Sequence, residues 1–455
     1  MNGLPANWTE TTLGEIAVWG SGGTPNRSIP EYYGGQVPWF KTGELNEGIL
    51  TNAEEYLTEE GIKNSSAKVF PKGSIMIAMY GATIGKCAIL GVDASTNQAC
   101  AVAQPKNNIE PLYLFHYLRS QKQNFIDKGK GGAQPNISQA VIKGHPIPLP
   151  PLPEQKRIVA KLDTLFAHLD QLKSRLQNIP ILLKQFRQAV LTQAVTGKLT
   201  AKGSELSDLT IEDLTDFIGS GVTPKGGRDN YFKEGIPFIR SMNVYPDGLY
   251  LEDLAYITIE MHNEMSRTKI KERDVLLNIT GASIGRATYV PIGFGEGNVN
   301  QHVCILRCND RIIPEYLSIY INSNIGQAYI MGTQTGMTRQ GLNYSQVRAM
   351  PVPIPNTKEQ KEIVLKVESL LNVADRIEAS YKTLQEKIDP LPQAILNKAF
   401  RGELVPQDNN EVPANDLLKS VGEKVDGMAR ELEEELAIAA EPGVKFKRKK
   451  DNASS

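Results

Sequence analysis

Residues 146–163 read PIPLPPLPEQKRIVAKLD, and residues 351–368 read PVPIPNTKEQKEIVLKVE. The shared order of prolines, the Glu-Gln-Lys triplet and the apolar positions behind it marks the chain as a duplication. Working outward, QAVLTQAVTGKL (188–199) matches QAILNKAFRGEL (393–404). Toward the N-terminus, GSGGTP (20–25) matches GSGVTP (219–224), and VPWFK (37–41) matches IPFIR (236–240). GATIGK (81–86) likewise matches GASIGR (281–286), and NQAC (97–100) matches NQHV (300–303). Six matches in one order, with slowly drifting offset, describe two copies of a large unit. A period near 200 residues is far beyond that of solenoid repeats.

Each copy has two parts. The first is rich in glycine, proline and short β-branched runs, which predicts mixed α/β structure. The proline-rich segment closes it, read as an extended connector because proline stops helix and strand alike. The second part is helical. Ile158, Leu162, Leu165, Leu169, Leu172, Leu176 and Ile179 follow a 4-3 spacing, an a/d seam for pairing with another helix. Ile363, Val367, Leu370, Ala374, Ile377, Tyr381, Leu384 and Ile388 keep the same register in the second copy. Phe166 lies just off the seam and widens the apolar stripe. Shorter helices are expected over 181–196 and 393–401, after Pro180 and Pro392. The fold class predicted is α/β (α+β): two domains of mixed structure joined by two long antiparallel coiled-coil helices, with an internal pseudo-twofold repeat. The boundaries expected are 1–150 and 207–355 for the domains, 151–206 and 356–405 for the helical spacers, and 406–455 for a charged tail. Within that tail, DLLKSVGEKVDGMARELEEELAIAA reads as a charged helix and KFKRKKDNASS as a basic end.

The chain of 455 residues carries a formal net charge of −1, with 40% hydrophobic and 22% charged residues. That composition suits a soluble globular protein. No apolar run reaches the length of a membrane span, and no signal peptide is visible. Four cysteines in so long a chain argue against a disulfide framework and point to a cytoplasmic setting. Charge gives no global sign of nucleic-acid binding. Residues 1–150 hold 12 Lys+Arg against 12 Asp+Glu, and residues 207–358 hold 14 against 16.

GATIGK has the glycines and lysine of a phosphate loop, yet lacks its geometry. Three residues instead of four separate Gly81 from Gly85-Lys86, and Cys87 stands where Ser or Thr would hold magnesium. The second copy replaces the lysine with Arg286. A strand–turn–strand hairpin, with Gly81 and Gly281 at the turn, fits both copies. His302, Cys304 and Cys308 lack a second ligand pair at zinc spacing. No dinucleotide fingerprint and no Asn-Pro-Pro-aromatic string is present.

Matched polar loops are the remaining chemistry. DKGKGGAQPNISQ (127–139) presents Lys128, Lys130, Gln134 and Asn136; QTGMTRQGLNYSQ (334–346) presents Arg339, Gln340 and Asn343. Arg, Gln and Asn are the side chains that read base edges with two hydrogen bonds. Lys41 and Arg240, at matched strand ends, and Lys86 and Arg286, in the glycine turns, are candidates for backbone phosphates.

The duplicated P-[IL]-P-x5-EQK-x-IV string, the heptad helix, the QA[VI]L…G-[KE]-L string and the two glycine hairpins together resemble specificity subunits of type I restriction-modification enzymes. The likeness covers residues 4–405. It implies a non-catalytic reader of double-stranded DNA, each domain recognising one half of a split, asymmetric target, with the helices setting the gap. Two methylation subunits binding S-adenosylmethionine and two restriction subunits using ATP and Mg would dock on it, and this chain would bind no cofactor itself. The seam from Ile158 to Ile179 would span about 33 Å at roughly 1.5 Å per residue, close to the roughly 34–36 Å between half-sites on one DNA face. A coiled-coil protein scaffold and a self-contained nuclease or methyltransferase are the competing functions. A specificity subunit for a fused methyltransferase–nuclease is a variant of the DNA-reading function.

Overall fold

A computed structural model of the protein describes residues 3–129, 135–200, 206–223, 231–333, 341–416 and 418–419. The helices that organise it are α1 (Pro111–Ser120), α2 (Leu152–Gln177), α3 (Ile179–Val195), α4 (Pro314–Asn322), α5 (Thr357–Ile388) and α6 (Leu391–Ala399). Two compact units result: residues 1–173 with 386–455, and residues 174–385.

The first unit is built on a five-stranded sheet with Ile75–Ala78 near its middle, between Cys100–Pro105 and Cys87–Leu90. Every residue of Ile75–Ala78 and Cys87–Leu90 is buried, which accounts for their unbroken apolar character. A four-stranded sheet containing Tyr33–Phe40 lies beside it in sequence. Onto the first sheet pack Tyr113, Tyr117 and Leu118 of α1, Ile158, Val159 and Leu162 of α2, and Leu396, Ala399 and Phe400 around α6. The Phe400 ring meets Tyr113 and Tyr117 edge-on, at 5.3 and 5.0 Å between centroids. The second unit repeats the scheme. Val275–Asn278 lies between Val303–Cys308 and Ala287–Tyr289, and its core takes Val190 and Ala194 from α3, Tyr316 and Tyr320 from α4, and Ile363, Val364 and Val367 from α5. Each short helix therefore joins the unit that does not contain the bulk of the long helix preceding it.

The proline-rich segments depart from expectation. Pro146–Leu149 and Pro351–Ile354 are strands, paired antiparallel with Thr9–Thr12 and Ser207–Thr210. Proline is tolerated because Pro146, Pro148, Pro351 and Pro353 take alternate positions whose backbone faces away from the partner strand. Their outward carbonyls accept tyrosine hydroxyls: Tyr113 to Pro148 at 2.6 Å, Tyr316 to Pro353 at 2.8 Å, Tyr117 to Pro146 and Tyr320 to Pro351. Pro180 and Pro392, expected to precede the short helices, lie in their first turns, where a missing N–H costs nothing.

The Glu-Gln-Lys triplet is a clamp at the start of each long helix. Gln155 is fully buried; its amide donates to Pro150 O at 2.9 Å and accepts from Glu110 N at 2.9 Å. Gln360 does the same with Pro355 O (2.9 Å) and Ile313 N (2.9 Å), and reaches Arg311 O at 2.8 Å. Glu154 accepts from Trp8 Nε1 (3.0 Å) and from Gln407 (2.7 Å), and burial raises its carboxyl above the usual range. Glu359 accepts from Thr200 at 3.0 Å.

This changes the reading of the heptad positions. Ile158 and Leu162, and Ile363 and Val367, are buried in the cores of their own units, so the first turns of α2 and α5 bind each helix to its domain. Leu370 is partly buried against the second core. Farther along, Leu165 and Leu176 are half-buried, Leu169 is buried, and Leu172, Ile377 and Leu384 are exposed. The tail also begins as structure. Ala414 is buried, its N–H reaching Asn7 O at 3.0 Å, and Arg157 pairs with Glu411. The charged stretch from 420 and the basic end lie outside the described residues. No described helix is long and apolar enough to cross a membrane.

Candidate nucleic-acid interface

The glycine turns are hairpins. Ile75–Ala78 and Cys87–Leu90 pair antiparallel around 79–86, and Val275–Asn278 pairs with Ala287–Tyr289 around 279–286. Gly81, Gly85, Gly281 and Gly285 have φ of 61, 77, 80 and 84°, which only glycine adopts cheaply. A Cβ on Gly285 would lie 2.7 Å from Gln327 Oε1, so close packing adds to the requirement there. Lys86 is half-buried and its amine has no bonded partner among the described residues. Arg286 instead lays its guanidinium over the Tyr245 ring, 4.7 Å from the centroid. The first turn lacks a phosphate-loop geometry: a short 3-10 turn, not a helix N-terminus, follows Tyr80.

Segments distant in sequence converge beside each hairpin. In the first unit, Met79 N reaches Ala99 O at 2.9 Å, Ile137 N reaches Met79 O at 2.9 Å, and Gly81 N reaches Pro135 O at 2.9 Å. Tyr80 and Asn136 thereby form an isolated bridge. Gly23 N bonds Thr96 O at 2.9 Å, and the Thr24 hydroxyl bonds Gln98 Oε1. In the second unit, Ile279 N reaches His302 O at 2.9 Å, Leu342 N reaches Ile279 O at 2.8 Å, and Thr280 bridges Gly341. Thr223 bonds Gln301 Oε1, repeating the Thr24–Gln98 pair. A Cβ on Gly22 or Gly221 would sit 1.9 Å from Thr96 O or 1.6 Å from Val299 O, so the GSG loops depend on glycine to approach these strands.

The hairpin and the polar loop, read from sequence as separate candidates, thus share one edge of each unit. Asn136 is exposed on that edge. Lys128 is nearby in sequence and exposed, with its amine 3.0 Å from His145 Nδ1. Burial, then the Lys128 charge, lowers the His145 pKa to about 4. Lys130, Gln134, Arg339 and Gln340 lie outside the described residues.

Three candidates have intramolecular partners. Asn343 caps the short helix Tyr344–Arg348, its side chain accepting from Gln346 N at 2.9 Å. Lys41 is held by Glu54 at 3.1 Å and Glu55 at 2.9 Å. Arg240 donates to Asp253 O and covers the Tyr231 ring at 5.6 Å. Both cations follow a strand end, as expected, and both are neutralised or tethered within their own domain. The Thr24–Gln98 and Thr223–Gln301 pairs escaped the sequence reading, although the recurrence of GSGxTP and NQ in both copies was the signal for them.

The thiols of Cys87, Cys100, Cys304 and Cys308 are unpaired, and burial raises each pKa to about 12. Among the described residues no group of three metal-ligating side chains occurs. His302 Nδ1 lies 2.5 Å from the Thr280 hydroxyl.

A family model described as Type I restriction modification DNA specificity domain matches residues 5–180 and 204–386. The type I restriction enzyme EcoBI specificity subunit of Escherichia coli is 33% identical over 343 residues, covering 70% of each chain. The EcoKI specificity subunit of Escherichia coli strain K12 is 29% identical over 435 residues, covering 90% of this chain and 92% of the other. The crystal structure of the HsdS subunit from Thermoanaerobacter tengcongensis shares the fold, with a TM-score of 0.62 at 20% identity over 88% of this chain and 98% of that one. A chain solved in work on assembly and conformational transition of the type I R-M system has a TM-score of 0.67 at 20% identity, covering 89% and 100%. With the specificity domain present twice, each copy fixed to a long helix, the chain belongs to the type I restriction-modification DNA specificity family, whose part in such systems is recognition and not catalysis.

Proposed function

We propose that each unit reads one half of a bipartite, asymmetric DNA target through the edge formed by its hairpin, its NQ turn and the segment paired with the hairpin, Pro135–Ile137 in the first unit and Gly341–Leu342 in the second. The observation that carries this is the duplication of that edge in two domains of unlike side chains, each clamped to its long helix by a buried glutamine. Like frames with unlike contents suit two half-sites of different sequence. The long helices set the gap. Their 26 and 32 residues correspond to about 39 and 48 Å at roughly 1.5 Å per residue, enough for half-sites roughly 34–36 Å apart. Leu172, Ile377 and Leu384, exposed beyond the domain cores, are the apolar surface left for packing along the helices.

In this reading two methylation subunits and two restriction subunits assemble on the chain in the cytoplasm. S-adenosylmethionine, ATP and Mg are bound by those partners. Mapping modified bases in cells with and without the gene tests the function: a bipartite motif should disappear with it. Inserting four residues at matched places in α2 and α5 lengthens each by about 6 Å, and the spacer should grow by one or two base pairs. An unchanged spacer in a still-modified motif would refute the ruler.

A further inference from the structure

The two edges share a frame, and three of the matched positions on it carry different hydrogen-bonding chemistry. Identical backbone bonds equate Tyr80 with Thr280, Ala99 with His302, and Asn136 with Gly341. The common parts, the left-handed glycines and the Thr–Gln pairs, are the same in both units. A feature common to two readers of different sequences cannot set the difference between them, and contacts to the sugar–phosphate backbone carry no sequence information. Discrimination must come from what differs at equivalent places.

Those places differ in hydrogen-bonding chemistry. In the first unit, Tyr80 is 46% exposed and Asn136 is exposed, and neither side chain has a polar partner among the described residues. Ala99, whose carbonyl accepts from Met79 N, adds only a methyl group. Asn136 offers a carboxamide, the group that pairs two-pronged with adenine N6 and N7. In the second unit the phenol and carboxamide are gone. Thr280 and His302 form a bonded pair at 2.5 Å through Nδ1, which leaves Nε2 as the ring's remaining polar atom. Gly341 removes the third side chain altogether.

We infer that the triplets Tyr80/Ala99/Asn136 and Thr280/His302/Gly341 are the base-reading positions that make the two half-sites different. This rests on the proposed DNA-reading function and locates its specificity in three side chains per unit. Phosphate contacts from neighbouring lysines would then hold the protein in register without choosing sequence.

The test is a graft. The full chain carrying T280Y, H302A and G341N is co-expressed with the methylation subunits of its system, and modified bases are mapped. The expected result is a change in the half-site read by the second unit, with the other half-site and the spacer unchanged. Full modification of the original motif would overturn the assignment. Because the triple graft could misfold, N136A and H302A are also measured singly for binding to cognate and scrambled duplexes. Each should weaken cognate binding about tenfold or more while leaving scrambled binding unchanged, as expected for a lost two-pronged or imidazole base contact. An equal loss on both duplexes, or none on either, would overturn it. If the unaltered complex modifies no bipartite motif, the DNA-reading function itself fails, which is a different outcome.

Discussion

Replacing Gln360 with leucine removes a side chain of similar size and leaves three backbone groups without their partner. Ile313 N, Arg311 O and Pro355 O, now bonded at 2.9, 2.8 and 2.9 Å, would stay close to a fully buried position. An unpaired buried polar group costs about 1–3 kcal/mol. Allowing the carbonyls some relaxation, Q360L should cost about 3–6 kcal/mol, whereas Q155L, with only Glu110 N and Pro150 O to orphan, should cost about 2–4 kcal/mol. Urea unfolding of the full chain, followed by hydrogen exchange so that each unit reports separately, measures both. The Ile313 amide should lose protection in Q360L and the Glu110 amide in Q155L, each without effect on the other unit. A stability loss below about 1 kcal/mol for Q360L, or an Ile313 amide as protected as before, would refute the clamp. With the clamp loosened, the proposed ruler should also tolerate a wider range of spacers.

Other outcomes follow from the same geometry. His116 is buried beside Arg119, whose charge acts in the same direction as burial while Asp163 opposes it; its pKa falls to about 4, like that of His145 beside Lys128. The unfolded chain therefore binds more protons between pH 6.5 and 4, and stability should fall through that window by about 2 kcal/mol per histidine at pH 5; thermal melts of H116Q and H145Q should show a flatter profile. G285A forces an L-residue to φ 84° and against Gln327, so it should cost about 2–3 kcal/mol, while G81A, with open space around its Cβ, should cost about 1 kcal/mol. Equal losses in calorimetry would contradict the packing difference. Y316F deletes one hydroxyl bonded to Pro353 O and should cost about 1 kcal/mol, measurable as a shift in the urea midpoint.

The sequence by itself determined the duplication, the long helices and the hairpin character of GATIGK. Repeats survive as strings, heptads as spacing, and a missing magnesium ligand as a single residue type. Tertiary structure decided what those strings do. Pro146 and Pro148 of PIPLP became strand residues because their alternate spacing turns each missing N–H away from the partner strand, and buried tyrosines take their carbonyls. Ile158 and Ile363 sit at heptad positions and yet belong to domain cores, since apolar periodicity marks a buried face without naming what covers it. Asn343 matched a base reader by type and proved a helix cap, because carboxamides serve backbone N–H groups as readily as base edges. Tyr80, Ala99 and Asn136 are distant in sequence, and only pairing across three segments places them on one edge beside the Thr24–Gln98 pair.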